Sequence, residues 1–182
     1  MAYRNGTYIA FHAEGTSDPT ASDMKYYNIL RAWDAHKKIE FDVVNSHDKT
    51  AAVRDASKKE TLRSRLIERL NISKNLLLIV GQATRLDTDW LPFEIEHAVD
   101  KCKIPIIAAY TDYSTIINPS AGRSLWPLAL QTRIDNGSAQ VIHVAFKKEP
   151  IIAAVERFNF NNLPGGSLVH FTADTYEKWG LR

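Results

Sequence analysis

Five short apolar runs constrain the fold of this chain more than any other feature of its 182 residues. A strand with one face in water alternates apolar and polar side chains, whereas these runs are continuously apolar. Continuous runs of this length are typical of strands that are buried on both faces of a parallel sheet. The runs occupy residues 8–11, 41–44, 75–80, 104–110 and 140–146. We therefore predict five buried strands.

The segments between the apolar runs carry helix signals. Apolar residues recur at helical spacing in residues 22–38, 57–70, 89–102 and 149–158. We expect Thr88 or Asp89 to cap the third of these helices. Strands that alternate with helices over short connections fold into an open sheet that is covered on both faces. The predicted fold class is α/β, a flavodoxin-like three-layer sandwich with a five-stranded, mainly parallel sheet.

Two segments depart from this alternation. Residues 111–139 are too long for a minimal connection, and their pattern predicts a short helix over residues 125–133. Residues 159–182 contain a Pro-Gly-Gly turn, a candidate edge strand at 168–171 and the start of a final short helix. We predict a domain over residues 1–158 and a C-terminal extension over residues 159–182 that packs on it.

The charge and cysteine content of the chain argue against several classes of protein. The 23 basic and 21 acidic residues are interspersed, so no basic field indicates nucleic acid as a partner. No apolar run approaches the length of a membrane-spanning helix. The single cysteine, Cys102, cannot form an intramolecular disulfide, and the N-terminus lacks the regions of a secretory signal. We expect a cytoplasmic protein in which Cys102 is a buried apolar residue.

Several catalytic motifs are missing from the sequence. No glycine-rich loop ends in Gly-Lys-Ser or Gly-Lys-Thr, and no dinucleotide fingerprint of spaced glycines follows a strand. The third strand ends in Val80 and Gly81, where a phosphorelay receiver needs an aspartate. No Gly-x-Ser-x-Gly hydrolase elbow occurs. Glu94 and His97 have the spacing found in di-metal carboxylate sites, but this motif occurs only once, so we predict no metal.

Polar and aromatic residues gather at the predicted carboxyl ends of the first three strands. Ligands of open α/β sheets bind at this edge, where the strand order changes direction. An aromatic ring there can stack on a base or a nicotinamide ring, and a histidine or serine can bind ribose or phosphate oxygens. A carboxylate beside an anomeric carbon can stabilise an oxocarbenium-like transition state. The candidate site residues are Phe11, His12, Asp42, Ser46, Trp90 and Glu94.

Most of these residues also have an ordinary structural interpretation. Trp90 can anchor the start of a helix, and Phe11 can be a core residue. His12 can occupy a turn. Glu94 can stand in the first turn of a helix simply because the helix macrodipole favours negative charge there. Spacing alone leaves both interpretations open.

The motifs around these residues resemble those of the TIR superfamily, and within it the bacterial branch of the Thoeris antiphage protein ThsB. The similarity covers residues 8–158. It rests on the first strand from Tyr8 to His12, Phe41-Asp42 in the second, the run 77–84, and Trp90 followed four residues later by Glu94. The family motif W-x-x-x-E falls on Trp90 and Glu94. The resemblance implies that Glu94 is the catalytic residue.

The resemblance also implies a reaction and a biological setting. The bond between nicotinamide and ribose of NAD+ would be cleaved, so that NAD+ is a substrate and the protein needs no cofactor. Recapture of the ADP-ribose inside the site would give a cyclic ADP-ribose isomer. This product would be a diffusible signal for a separate, sirtuin-like effector that depletes NAD during phage infection. Nicotinamide is a good leaving group, so one carboxylate suffices without a metal.

Two other functions are compatible with the same residues. Many TIR domains act by assembling with other TIR domains, so the chain can be an interaction module. It would then self-associate through residues 111–139 and the C-terminal extension. A nucleoside deoxyribosyltransferase shares the sheet architecture and also uses a glutamate at a sugar anomeric carbon. Turnover of NAD+ indicates the NAD-cleaving enzyme, turnover of deoxynucleosides indicates the deoxyribosyltransferase, and turnover of neither indicates the interaction module.

Overall fold

The computed structural model describes residues 4–12, 23–35, 42–44 and 56–182. Six strands of these residues form one sheet in which every neighbouring pair is parallel. The strands are β1 (Gly6–Ala10), β2 (Asp42–Val44), β3 (Ser73–Val80), β4 (Ile106–Tyr110), β5 (Val141–Ala145) and β6 (Val169–His170). The helices are α1 (Met24–Ala35), α2 (Ala56–Asn71), α3 (Trp90–Glu96), α4 (Leu128–Asp135), α5 (Lys148–Arg157) and α6 (Ala173–Lys178).

The strands lie in the order β2-β1-β3-β4-β5-β6, which is the flavodoxin-like order with one strand added at an edge. From β1 the chain runs to one side to form β2 and then crosses to the other side to form β3. The switch point of the sheet therefore lies between β1 and β3. The predicted α/β, flavodoxin-like fold is confirmed, and all described strand pairs are parallel.

Each face of the sheet carries its own hydrophobic core, because successive side chains of a strand point to opposite faces. Tyr8 and Leu78 contribute to the core beneath α2, α3 and α4. Ile9 and Leu77 contribute to the core beneath α1, α5 and α6. All four side chains are fully buried, which explains the continuous apolar runs. None of the helices in the described part of the chain has the length and apolar character that a bilayer crossing requires.

The helix that follows β3 changes its geometry after about two turns. The single helix predicted over residues 89–102 is an α-helix over Trp90–Glu96 and a π-helix over His97–Cys102. The π-helix ends at Lys103, which has a φ of 55°. Cys102 is buried, as predicted, and its thiol donates to Oδ1 of Asn71 at 3.3 Å. Burial raises the pKa of this thiol.

The long connection after β4 contains a 3₁₀-helix over Pro119–Leu125 followed by α4. The predicted helix over residues 125–133 starts instead at Leu128. Trp126 stands before Pro127, and a residue before proline is disfavoured in the helical region. Its extended backbone, with φ −77° and ψ 137°, separates the two helices.

The last residues of the chain pack against β5. The predicted edge strand is present as β6, shortened to two residues, with Val169 opposite Ile142. Beyond it, the buried hydroxyl of Tyr176 in α6 accepts a hydrogen bond from the Ala145 amide at 3.2 Å. The division of the chain at residue 158 stays a prediction. These contacts join residues 159–182, which we call the final segment, to the sheet.

A chain of buried hydrogen bonds joins the connection after β4, two strands and the final segment. The indole N–H of Trp126 donates to the Tyr110 hydroxyl (2.6 Å), which donates to Nδ1 of His143 (2.7 Å). Nε2 of His143 donates to the carbonyl oxygen of Ser167 (2.9 Å). Because a carbonyl oxygen only accepts, Nε2 carries a proton, and a ring that accepts from Tyr110 at Nδ1 is neutral. Burial lowers the pKa of His143 from 6.5 to about 4.

We expect the protein to lose stability as the pH falls from 6.5 to about 4, because the unfolded chain takes up a proton at His143 before the folded chain does. The contribution to the free energy of unfolding is about 3 kcal/mol, fully present at higher pH and lost across this window. Denaturant unfolding at a series of pH values measures it. His143→Gln should lack this component, whereas His170→Gln, at an exposed histidine on the paired strand, should keep it. Equal pH dependence of the two variants would contradict the prediction.

Candidate active site

The carboxyl ends of β1 and β3 flank the switch point of the sheet. His12 follows β1, and the chain after β3 passes through a turn and a 3₁₀-helix, Thr84–Leu86, to the start of α3. Ligands of open parallel sheets bind at such a point. We call this place the β1–α3 crevice, and we define it by Tyr8, His12, Asp87, Trp90 and Glu94.

A tight turn after β3 fixes the segment that leads into α3. The Gly81 amide donates to Oγ1 of Thr84 at 2.7 Å, and the same hydroxyl lies 3.3 Å from Oδ2 of Asp23, just before α1. A Cβ atom at position 81 would lie 2.8 Å from Oδ1 of Asp23. Glycine therefore permits this close approach, and a larger residue would displace the aspartate.

Asp87 caps the helix that carries the catalytic candidate. Its Oδ1 accepts hydrogen bonds from the amides of Asp89 (3.0 Å), Trp90 (2.9 Å) and Leu91 (3.2 Å). These amides have no acceptor inside the helix, so the carboxylate satisfies them and adds favourable charge at the helix start. The predicted cap from Thr88 or Asp89 is wrong. Asp89 makes no side-chain cap bond and pairs instead with Nζ of Lys59 at 2.6 Å.

Glu94 lies one turn into α3 and is completely buried, with 0% of the residue exposed. The hydroxyl of Tyr8, on β1, donates a hydrogen bond to its Oε1. Leu91 and Ile95 belong to the apolar core on the same side of the sheet. A carboxyl group in such surroundings is costly unless it is hydrogen-bonded, so the Tyr8 hydroxyl helps to stabilise Glu94 in the core.

Trp90 stands one turn before Glu94 on the same side of α3, because residues four apart share a helix face. Its ring is partly buried and packs on the apolar core. Nζ of Lys59 lies 5.5 Å from the ring centroid, in cation–π geometry. Trp90 is therefore an anchor of the helix start, and part of its ring remains at the surface.

His12 is joined to α3 through Asp87. Nδ1 of His12 lies 3.2 Å from Oδ2 of Asp87, and the two side chains are 15% and 9% exposed. A carboxylate oxygen accepts, so Nδ1 of the histidine is the donor. The carboxylate of Asp87 thus bridges the end of β1 and the first turn of α3.

Of the other three candidate residues, the structure places two away from this crevice and does not describe the third. Phe11 is 1% exposed, lies in the core on the opposite face of the sheet and stacks on Tyr27 at 5.1 Å, which favours its interpretation as a core residue. The backbone of Asp42 pairs with Gly6, at the amino end of β1. That register is at the end of the sheet opposite to the crevice, so we remove Asp42 from the candidate site. Ser46 lies outside the described residues.

Sequence patterns did not identify two residues of the crevice, Tyr8 and Asp87, as site residues. Tyr8 was assigned to a buried strand, and nothing in an apolar run indicates which tyrosine will meet a carboxylate. Asp87 had a usable signal. It stands three residues before Trp90, and an aspartate just ahead of a helix is a common source of capping bonds.

His97 packs beside α2 and not in a metal site. Its Nε2 lies 3.4 Å from Oδ1 of Asn71, and its ring centroid is 5.9 Å from that of Phe93. Burial lowers the pKa of His97, and the charges of Lys101 and Arg63 lower it further. Across residues 4–12, 23–35, 42–44 and 56–182, no group of three or more potential ligands from histidine, cysteine, aspartate and glutamate could hold a metal ion.

A surface groove of about 180 Å³ lies on the outer side of α3 and its π-helical continuation. It is lined by Arg63, Phe93, Glu96, His97, Asp100 and Lys101. Charges of both signs stand side by side in it, and Asp100 is already paired with Arg133. The groove does not include Glu94 and is distinct from the β1–α3 crevice.

The chain was compared with models of known families. The model of a family described as Thoeris protein ThsB, TIR-like domain, matches residues 8–116 of the 182. The matched range begins in β1 and extends beyond β4. It therefore contains every residue of the β1–α3 crevice, and it leaves out α4, α5 and the final segment.

We expect Tyr8→Phe to lower the free energy of unfolding by about 1–3 kcal/mol, because the buried Glu94 loses a hydrogen-bond donor. A double-mutant cycle with Glu94→Leu, followed by denaturant unfolding, isolates the pair, and its coupling energy should exceed about 1 kcal/mol. The matched control is the same cycle with Glu96→Leu, an exposed glutamate two residues along the helix. Additive effects in the Glu94 cycle would contradict the expectation.

Proposed function

The chain belongs to the Thoeris ThsB family of TIR-like domains, and from that premise we propose that it cleaves the bond between nicotinamide and ribose of NAD+ with Glu94 as the catalytic residue. The observation that carries this proposal is the position of Glu94. It is a buried carboxyl group at the switch point of a parallel sheet, hydrogen-bonded to Tyr8 and four residues after Trp90. A stability role alone gives little reason to bury a carboxyl group there.

The proposed chemistry needs one negative charge beside the ribose. As the glycosidic bond breaks, its electron pair leaves with the nicotinamide nitrogen and the anomeric carbon becomes cationic. A carboxylate in a water-poor site stabilises that charge more strongly than it could in water. The Tyr8 hydroxyl restricts the orientation of the Glu94 side chain. Capture of the cation by water gives ADP-ribose, and capture by a nucleophile of the same ADP-ribose gives a cyclic product.

Two further residues of the crevice suit parts of this substrate. The partly exposed ring of Trp90 can stack on a nicotinamide or a base. His12, at the end of β1, can bind a ribose hydroxyl. NAD+ enters as substrate, and the proposed reaction uses no cofactor and no metal.

The proposed role follows the family's association with antiphage defence. The cyclic product would be a diffusible signal in the cytoplasm, read by a separate, sirtuin-like effector that depletes NAD. Exclusion of water from the crevice would favour cyclisation over hydrolysis. Mass spectrometry of the product distinguishes a cyclic isomer from linear ADP-ribose.

The decisive experiment compares Glu94→Gln with Glu96→Gln. Both substitutions remove one carboxylate from the same helix, but Glu96 is exposed, and its Oε1 lies 3.8 Å from Nη1 of Arg133. Purified protein is incubated with NAD+, with and without an extract of phage-infected cells, and nicotinamide release is followed. We expect Glu94→Gln to lower turnover by at least about 100-fold. Glu96→Gln should match the unmodified chain.

Melting curves of both variants show whether the comparison is between folded proteins. Nicotinamide release that survives Glu94→Gln would remove Glu94 from the mechanism. Absence of release by the unmodified chain under both conditions would remove the NAD-cleaving function. Turnover of deoxynucleosides in its place would indicate a deoxyribosyltransferase.

A second candidate function is that of an interaction module. The connection after β4 and the final segment expose several large apolar side chains: Tyr113, Ile117, Leu128, Leu163 and Leu168. Leu128 is 76% exposed at the start of α4. Where exposed apolar residues lie close enough together to form a patch, they indicate a contact surface between proteins.

Size-exclusion chromatography with light scattering tests the interaction module. If the chain acts by self-association, we expect a concentration-dependent increase in mass that Leu128→Asp reduces and Glu94→Gln leaves unchanged. Leu86→Asp, at a similarly exposed leucine near the crevice, is the matched control. A monomer at all concentrations would contradict this candidate.

A further inference from the structure

We propose that Asp87 is a positioning residue of the β1–α3 crevice, whose two carboxylate oxygens hold α3 and His12 in one arrangement. The catalytic consequence of this inference rests on the proposed function. Its structural content does not, because it concerns hydrogen bonds within the chain. Asp87 itself need not touch the substrate.

One oxygen of Asp87 sets the start of α3. Oδ1 lies within 3.2 Å of three consecutive backbone amides, from Asp89 to Leu91. The amides of the first turn have no acceptor inside the helix, so this turn depends on such a cap. Trp90 is the first residue of this turn and Glu94 lies one turn later. The cap therefore determines where the Glu94 carboxyl group meets the Tyr8 hydroxyl on β1.

The other oxygen of Asp87 selects the tautomer of His12. Oδ2 accepts from Nδ1 at 3.2 Å, so the proton of the neutral ring resides on Nδ1. Nε2 is then the acceptor nitrogen. A ribose hydroxyl donates to such a nitrogen, whereas the opposite tautomer would offer it an N–H instead. A carboxylate that fixes a histidine in this way is a common supporting contact in active sites.

The pair of contacts explains why an aspartate stands at position 87. Asparagine caps a helix as well as aspartate does, but it turns an NH₂ group towards Nδ1 and favours the wrong tautomer of His12. Serine can cap the helix but is too short to reach His12 as well. The Asp87 side chain is only 9% exposed, so water competes weakly for either oxygen.

The test uses Asp87→Asn, which keeps the cap and removes the acceptor for His12. The matched control is Asp89→Asn, an exposed residue two positions along the chain that makes no cap bond. Nitrogen-15 NMR of the His12 ring identifies the tautomer of the neutral ring. We expect a proton on Nδ1 in the unmodified chain and on Nε2 in Asp87→Asn. The melting temperature of Asp87→Asn should stay within about 2 °C.

Steady-state kinetics with NAD+ give the catalytic readout. We expect Asp87→Asn to lower kcat by about 10–100-fold, since a small misplacement of a reacting group has an effect of this size. Asp87→Ala, which removes both contacts, should lower kcat further and also lower the melting temperature. Asp89→Asn should match the unmodified chain in both measurements.

The outcomes separate this inference from the proposed function. An unchanged His12 tautomer together with an unchanged kcat in Asp87→Asn overturns the positioning role while leaving NAD cleavage intact. If the unmodified chain releases no nicotinamide, the proposed function fails, and the NMR result alone decides whether Asp87 holds His12. A changed tautomer in Asp89→Asn as well would assign the effect to general charge and would overturn the inference.

Discussion

The sheet of this protein is covered by helices on both faces, and this constraint determines the rest of the structure. The inner strands satisfy their backbone hydrogen bonds with the strands on either side, and each connection between parallel neighbours must cross over a face of the sheet. The chain meets this demand by placing β3 between β1 and β4. The carboxyl ends of β1 and β3 consequently flank a crevice that the fold itself leaves between diverging connections.

The crevice contains a buried carboxyl group, which destabilises the core, and hydrogen-bonding groups that offset this loss of stability. Glu94 is buried beside apolar residues, and the hydroxyl of Tyr8 supplies a hydrogen bond to it. The orphan amides of α3 and the ring of His12 are satisfied by one carboxylate, that of Asp87. Such compensation is expected where function requires a residue that packing alone would not select.

Sequence patterns predicted the features of this fold that depend on local periodicity. The buried strand β3 and the position of Glu94 in the first turns of α3 follow from apolar runs and helix signals. The sequence left Phe11 open between a core residue and a site residue, because the face to which a strand end points depends on the register of the whole sheet. For the same reason Asp42 was expected at the crevice, and pairing with Gly6 puts it at the other end. The contact of Tyr8 with Glu94 joins residues 86 positions apart, and no local pattern contains it.

The final segment of the chain and the crevice lie at opposite sides of the sheet. The segment supplies the Ser167 carbonyl to His143 and the Tyr176 hydroxyl to the Ala145 amide, both on β5. β1 and β5 are separated by β3 and β4. The contacts on β5 are therefore two strands away from β1, whereas Asp87 contacts both His12 and the start of α3 directly.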